Sequence, residues 1–127
     1  LARALELDMD VYGFELDLTP LQQRPLPRAL PLSRYPAVRR DLAFVVAEQV
    51  AWADLADTAR AAAGEVLRDL QLFDRYQGRG VEEGFKSLAM GLILQDNTRT
   101  LTDQDADAAV SRVVAALDGT HGARIRG

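Results

Sequence analysis

From Leu88 to Leu94 every second residue is large and apolar: Leu88, Met90, Leu92 and Leu94. The residues between them start small, with Ser87, Ala89 and Gly91. Side chains alternate across a strand, so one face is bulky and the other nearly bare. The same period of two runs through residues 38–46, where Leu42, Phe44 and Val46 share one face. The other parity there holds Arg39, Asp41, Ala43 and Val45. Strands are predicted at 38–46, 66–76, 86–95 and 122–126.

Two stretches change period. Residues 52–63, "WADLADTARAAA", repeat at helical spacing through Trp52, Leu55, Ala59 and Ala62 or Ala63, with Gly64 as the C-terminal cap. Residues 103–117 do so through Ala106, Ala109, Val110, Val113, Val114 and Leu117. Thr102 is placed as N-cap, Asp105 completes a capping box, and Gly119 is expected to end the helix.

The order is β-α-β-β-α-β. Right-handed βαβ units then give an α+β, ferredoxin-like sandwich: a four-stranded antiparallel sheet with both helices on one face. Leu42, Phe44, Leu88, Met90, Leu92, Val110, Val113 and Leu117 are expected to be buried together. Ser87 is expected on the open face and exposed. The second strand fits less well. Strict alternation groups Leu70, Leu72, Asp74 and Tyr76, yet Phe73 also asks for burial. A bulge near Leu72–Phe73 would resolve this.

The first residues fit a different pattern. Residues 1–9 are predicted to end a helix, and 11–18, "VYGFELDL", to form a strand. Two elements make no core, so 1–19 is expected to end a preceding module. Residues 20–36 contain all five prolines and are predicted to be an extended linker. The domain proper is then 37–127. A start at Leu1 fits a piece of a longer chain.

Composition narrows the chemistry. No cysteine is present, so there is no disulfide, thiolate metal site or cysteine nucleophile. The chain's 48% hydrophobic content includes no run that reaches membrane-span length, and a cytoplasmic location is expected. The net charge of −4 argues against general nucleic-acid affinity but not against a local site. The cations are 14 Arg and the single Lys86. Arginine suits planar stacking and bidentate phosphate contacts.

Candidate chemistry thins on inspection. "GRGVEEG" (78–84) is glycine-rich, but a strand follows where a phosphate loop needs a helix N-terminus. It is taken as a hairpin loop. "DQDAD" starts like a calcium loop, but Ala108 and Val114 stand at the sixth and twelfth positions, which require Gly and Glu. Its aspartates suit a helix N-terminus. His121 is the only histidine, and no nucleophile–base–orienter set assembles around it. No covalent chemistry is expected. The bare face is left with two readings. It is a platform for a flat base, edged by Tyr76, Asp74 and Ser87, or a surface that meets solvent or another domain.

Three motifs carry a resemblance. "YPAVRRDLAFVV" (35–46), "LFDRYQGRGVEEGFKSLAMGL" (72–92) and "RTLTDQD" (99–105), in this order and spacing, resemble the C-terminal anticodon-binding domain of the bacterial phenylalanyl-tRNA synthetase beta subunit. The likeness covers about residues 34–127, and a weaker one links 1–18 to the end of the module before that domain. It implies the ferredoxin-like fold obtained above. It also implies a tetramer of two alpha and two beta subunits that charges phenylalanine tRNA with ATP and magnesium, with catalysis elsewhere. In this segment it implies no cofactor, no DNA and no membrane partner.

Within the motifs, the resemblance implies that Asp74, Tyr76, Ser87 and Ala89 meet anticodon bases. Lys86, Arg39, Arg40 and Arg99 are phosphate candidates by charge and position. Arg39 and Arg40 equally suit ion pairs with Asp41 or Asp69. Two departures stand out. Ala51 replaces a proline common before the first helix, and residues 38–127 carry 11 cations against 14 acids. Two alternatives remain. A small-ligand regulatory domain of this fold expects a glycine-bearing loop after the first strand, and "AEQVAWAD" has none. A purely structural domain differs only in binding nothing.

Overall fold

The structure is a computed structural model, and it describes residues 12–23, 26, 27, 29 and 32–126. The chain divides into two units, Leu1–Pro31 and Leu32–Gly127. In the first unit the helix expected at 1–9 lies outside the described residues, as does residue 11. The expected strand is corrected: residues 12–17 form no strand, and Tyr12 and Phe14 are exposed. Among the described residues of this unit there is no second strand to pair with, so the alternating pattern has nothing to bury against. The predicted extended linker instead begins with one helical turn, α1 (Thr19–Gln22). Pro20 suits the start of a helix, and the Asp17 carboxylate accepts the Thr19 N–H at 2.9 Å.

The second unit has the expected order: β1 (Val38–Ala47), α2 (Trp52–Ala63), β2 (Leu67–Tyr76), β3 (Phe85–Leu94), α3 (Asp103–His121) and β4 (Arg124–Ile125). The sheet runs β2-β3-β1-β4, with every pairing antiparallel. In β1 and β3 the even-numbered residues point into the core. Phe44, Val46, Leu88, Met90, Leu92 and Leu94 pack there with Leu55, Ala59, Val113 and Leu117 from the two helices. Leu42 packs at the margin of this cluster and Val110 is half-buried. Both helices therefore cover one face, and the odd-numbered residues line the other.

The helix ends show local causes. Thr102 and Asp105 form the expected capping box: the Asp105 N–H donates to the Thr102 hydroxyl, and the Thr102 N–H to the Asp105 carboxylate. At the other end α3 runs past the predicted stop at Gly119. A single exposed glycine costs a helix only about 1 kcal/mol. The cap is Gly122, whose N–H donates to the Asp118 carbonyl at 2.8 Å. The extra turn also brings His121 to α2. The Thr58 hydroxyl lies 2.9 Å from the Asp54 carbonyl and 2.8 Å from His121 Nε2, so a hydrogen bond joins the end of α3 to α2. Because Gly122 is spent as a cap, β4 is shorter than the predicted 122–126.

Two expectations about single residues are corrected here. Ser87 is not exposed: it is 7% accessible, although it lies on the open face, opposite the helices. Tyr76 and Val45 stand on either side of it on the neighbouring strands, and their larger side chains shield it. Lys86 has the parity of Leu88 and Met90, so it points to the helix side. It is 8% accessible, and its Nζ donates to the Glu48 and Val50 carbonyls at 2.8 and 2.5 Å. This pins the turn into α2, where Ala51 offers no side-chain cap.

Met90→Ala should destabilise the 127-residue chain by about 2–5 kcal/mol, because it empties a fully enclosed site. Ser87→Ala should cost about 0.5 kcal/mol or less, since no described residue hydrogen-bonds its hydroxyl. Urea melts of both variants decide it, and equal losses would reverse the assigned parity.

A pH dependence follows from the capping box. The Arg99 guanidinium, donating at 2.6 and 3.0 Å, and the Thr102 N–H hold the Asp105 carboxyl well below its ordinary value. A depressed carboxyl contributes stability that is present above its unfolded value, near 3.9, and is lost as pH falls through the folded one. The chain should therefore melt at lower temperature as pH drops below about 4. In Asp105→Asn that slope should be shallower. Parallel slopes in the two melting series would show that this pair does not couple to folding.

Candidate functional site

The open face is built by register. Across β1, β3 and β2, Val45 pairs with Ser87 and Ser87 with Tyr76. One step on, Ala43 pairs with Ala89 and Ala89 with Asp74. Next, Asp41 pairs with Gly91 and Gly91 with Gln71. Strict alternation would send Asp74 to the face of Leu70 and Leu72. The ladder instead shifts between Leu72 and Asp74, leaving Phe73 as the extra residue. Leu70 and Leu72 keep the helix-side register, and Asp74 and Tyr76 turn to the open face. The bulge anticipated at Leu72–Phe73 is there, and a second irregularity lies between Leu67 and Asp69. Phe73 is not buried: it is 53% accessible.

The bare stripe serves two purposes. At Gly91 the space is filled from within the chain. A side chain there would come within 3.0 Å of the Arg39 guanidinium and the Asp41 carboxylate, which pair at 2.7 Å. The same guanidinium lies 5.4 Å from the centre of the Phe73 ring. At Ala43, Ser87 and Ala89 the space is open. These three form the floor of a depression of about 550 Å³, walled by Asp74, Tyr76, Arg79 and Arg126. The Tyr76 hydroxyl donates to the Arg79 carbonyl at 3.1 Å, which ties the ring to the hairpin loop. No described residue pairs with the Asp74 carboxylate. The depression thus offers an aromatic ring, an acceptor carboxylate, a hydroxyl and two guanidiniums around a small-residue floor. That set can stack a planar base and read its edge.

The expected site residues divide. Asp74, Tyr76, Ser87 and Ala89 come together in this depression. The four cations proposed for phosphate do not. Lys86 is buried on the opposite face, as described above. Arg40 also has helix-side parity, and it donates to Asp103 at 2.7 Å and Asp107 at 3.1 Å, tying β1 to the start of α3. These two carboxylates raise its already high pKa further. Arg99 is held by Asp105. Arg39 lies on the open face but in the Asp41–Phe73 cluster. Parity alone would have excluded Lys86 and Arg40, since both are even-numbered in strands whose even positions are core.

The sequence reading missed Arg79, Arg126 and Ala43 as lining residues. Arg126 had a signal: the last strand's parity points it outward. Arg79 had none, because its place depends on how the hairpin loop folds. A second depression of about 400 Å³ adjoins along β4 and shares Arg126. There Arg124 lies 5.3 Å from the centre of the Phe85 ring and 3.4 Å from Glu82. Among the described residues, no group of three or more His, Asp or Glu could hold a metal ion, and no helix is long and apolar enough to cross a membrane.

Comparison with known proteins agrees with this fold. Residues 33–126 match the family model described as the ferredoxin-fold anticodon binding domain. The chain is 62% identical over 127 residues to a phenylalanine–tRNA ligase beta subunit of Xanthomonas campestris pv. campestris (strain 8004), covering 100% of this chain and 16% of that protein. It is 63% identical over 126 residues to that of Xanthomonas axonopodis pv. citri (strain 306), covering 99% of this chain and 16% of the relative. Against that of Xylella fastidiosa (strain Temecula1 / ATCC 700964) the identity is 58% over 126 residues, with the same shares. The chain spans about one sixth of the length of these relatives. With its β-α-β-β-α-β order, its 2-3-1-4 sheet and the match over residues 33–126, the chain belongs to the ferredoxin-fold anticodon-binding domain family.

Proposed function

We propose that this chain is the anticodon-binding end of a phenylalanine–tRNA ligase beta subunit, and that its open sheet face takes bases of the anticodon loop of phenylalanine tRNA. One observation carries the reading. The bulge in β2 sets Tyr76 beside Ser87 and Asp74 beside Ala89, which gathers four separate motif positions around one small-residue floor. In this reading Tyr76 stacks on a base. Asp74 accepts from amino or imino groups on a base edge, and the Ser87 hydroxyl adds a bond from the floor. Ala89 and Ala43 leave room for the base plane.

The segment does no chemistry of its own. Phenylalanine activation with ATP and magnesium belongs to the rest of the ligase, a cytoplasmic tetramer of two alpha and two beta subunits. The domain's contribution is to hold the tRNA at its far end. Most of the binding free energy comes from other modules, as multivalent attachment allows.

Stacking on an aromatic ring is worth about 1–3 kcal/mol per base. In the full ligase, Tyr76→Ala should therefore lower aminoacylation at limiting tRNA by roughly 5- to 150-fold. ATP–pyrophosphate exchange, which needs no tRNA, should be unchanged. Asp74→Ala should reduce the penalty for altering the base it reads. Normal aminoacylation by Tyr76→Ala, or an equal loss of exchange activity, would remove the depression as the anticodon site.

The cations at the depression set a second expectation. With Arg79 and Arg126 as the phosphate contacts, the log of the binding constant for an anticodon stem-loop should fall against log salt with a slope no steeper than about −1.4. A titration series in increasing salt measures it. A slope of −3 or beyond would mean that other cations of the chain take part.

A further inference from the structure

The Tyr76 ring is not free to find its own place. Its hydroxyl reaches the Arg79 carbonyl across the tight start of the hairpin loop. Between them in sequence lies Gly78, with φ at 148°, on the positive side that side-chain-bearing residues rarely adopt. A Cβ at Gly78 would sit 2.9 Å from the Tyr76 hydroxyl oxygen and 3.2 Å from the ring carbon that bears it. The bare position 78 and the ring of residue 76 therefore occupy one tight contact. The ring packs against the backbone of its own loop on one side and borders the Ala43–Ser87–Ala89 floor on the other.

We propose that Gly78 is a positioning residue for Tyr76: its missing side chain lets the loop fold back against the ring, so that the Arg79 carbonyl can hold the hydroxyl and keep the ring at the edge of the base-binding floor. This rests on the function proposed above. The ligand is the base that Tyr76 stacks on, and Gly78 touches only the ring. A ring held before binding loses less side-chain freedom when a base arrives, which favours affinity without a new contact. The hydroxyl and the loop backbone act as the clamp, and the aromatic face remains the contact surface.

Gly78→Ala changes the clamp in two ways. It strains the backbone at a positive φ, and it drives a methyl into the tyrosine hydroxyl. Either the ring or the Arg79 carbonyl must move. The loop is exposed and none of its residues belongs to the core cluster, so the fold should persist. Tyr76→Phe tests the anchor differently, since it keeps the ring and removes both the hydrogen bond and the closest clash.

The experiment is a double-mutant cycle on the 127-residue chain, titrated with an anticodon stem-loop of phenylalanine tRNA at low salt. Circular dichroism first checks that every variant is folded at the working temperature. Gly78→Ala should lose most of the roughly 5- to 150-fold that Tyr76→Ala loses. The double variant Tyr76→Ala/Gly78→Ala should bind no worse than Tyr76→Ala alone. Gly78→Ala in the Tyr76→Phe background should cost less than in the parent. Parent-like binding by Gly78→Ala, or losses that simply multiply in the double variant, would overturn the proposal. A second readout needs no RNA. The Tyr76 ring proton resonances should shift in Gly78→Ala, and unchanged resonances overturn the clamp even if Tyr76→Ala binds normally. Normal binding by Tyr76→Ala overturns the base-binding reading instead, so the two failures are told apart.

Discussion

One extra residue in β2 sets the chemistry of the whole sheet. An unbroken strand from Leu67 to Tyr76 would put Leu70, Leu72, Asp74 and Tyr76 on one face. Either two leucines would face water or an aspartate would sit beneath the helices. Both arrangements are costly, because burial of apolar area is what holds so small a unit together, and a buried unpaired carboxylate works against it. The shift between Leu72 and Asp74 removes the conflict for Leu70, which is buried, while Leu72 stays partly open to solvent on the edge strand. It keeps the leucines in register with Met90 and Leu92 and delivers Asp74 and Tyr76 to the side with Ser87 and Ala89. The extra residue, Phe73, is left outside the core, where its ring lies beside the Arg39 guanidinium. The bulge is thus where core packing and surface chemistry are separated along one strand.

The two faces also differ in how they treat charge. On the helix side, polar groups are bound within the chain. Lys86 holds two carbonyls of the β1–α2 turn, Arg40 bridges two aspartates of α3, and Arg112 donates to the Ala62 and Ala63 carbonyls at the end of α2. Each cation ties two elements together or supports the end of one. On the open side Arg39 and Arg124 are fixed in this way: Arg39 closes the Gly91 end of the stripe, and Arg124 is held by Glu82 and lies beside the Phe85 ring. The depression between Tyr76 and Arg126 keeps its polar groups for whatever enters it.

Most of the fold was legible because period-two and helical patterns are local signals, and here they agree with each other. The parity of β3 foretold which face would be covered, and the capping box at Thr102 marked the start of α3. The misses have physical causes. Gly119 looked like a helix stop, but the cap hydrogen bonds form at Gly122, and the turn gained lets His121 reach Thr58. The alternation at 12–17 is the pattern of a strand, yet a strand also needs a partner, and the described part of that unit supplies none. For the site, Asp74, Tyr76, Ser87 and Ala89 were found through motif resemblance, whereas the cations were chosen by charge. Charge alone does not say which side of a strand a residue faces. Applying the same parity to Lys86 and Arg40 would have placed both on the helix side. Arg79 depends on the path of a hairpin loop, which no periodicity encodes.

The acidic balance of the domain then has a structural meaning. Eleven cations against 14 acids looks unfavourable for an RNA-binding module. Yet several of the acids are engaged with cations in ion pairs: Asp41 with Arg39, Asp103 and Asp107 with Arg40, Asp105 with Arg99, and Glu82 with Arg124. Such exposed pairs contribute little stability individually, but each leaves the local field near neutral. The depression is therefore governed by shape, stacking, one unpaired carboxylate and the two guanidiniums of Arg79 and Arg126 rather than by a general positive potential. A surface of this kind attracts RNA weakly at long range and discriminates at contact, because a carboxylate repels a phosphate and accepts only from a base edge that presents donors. In the proposed ligase that division suits a domain at the edge of a large complex: other modules supply the attraction, and this face tests which bases have arrived.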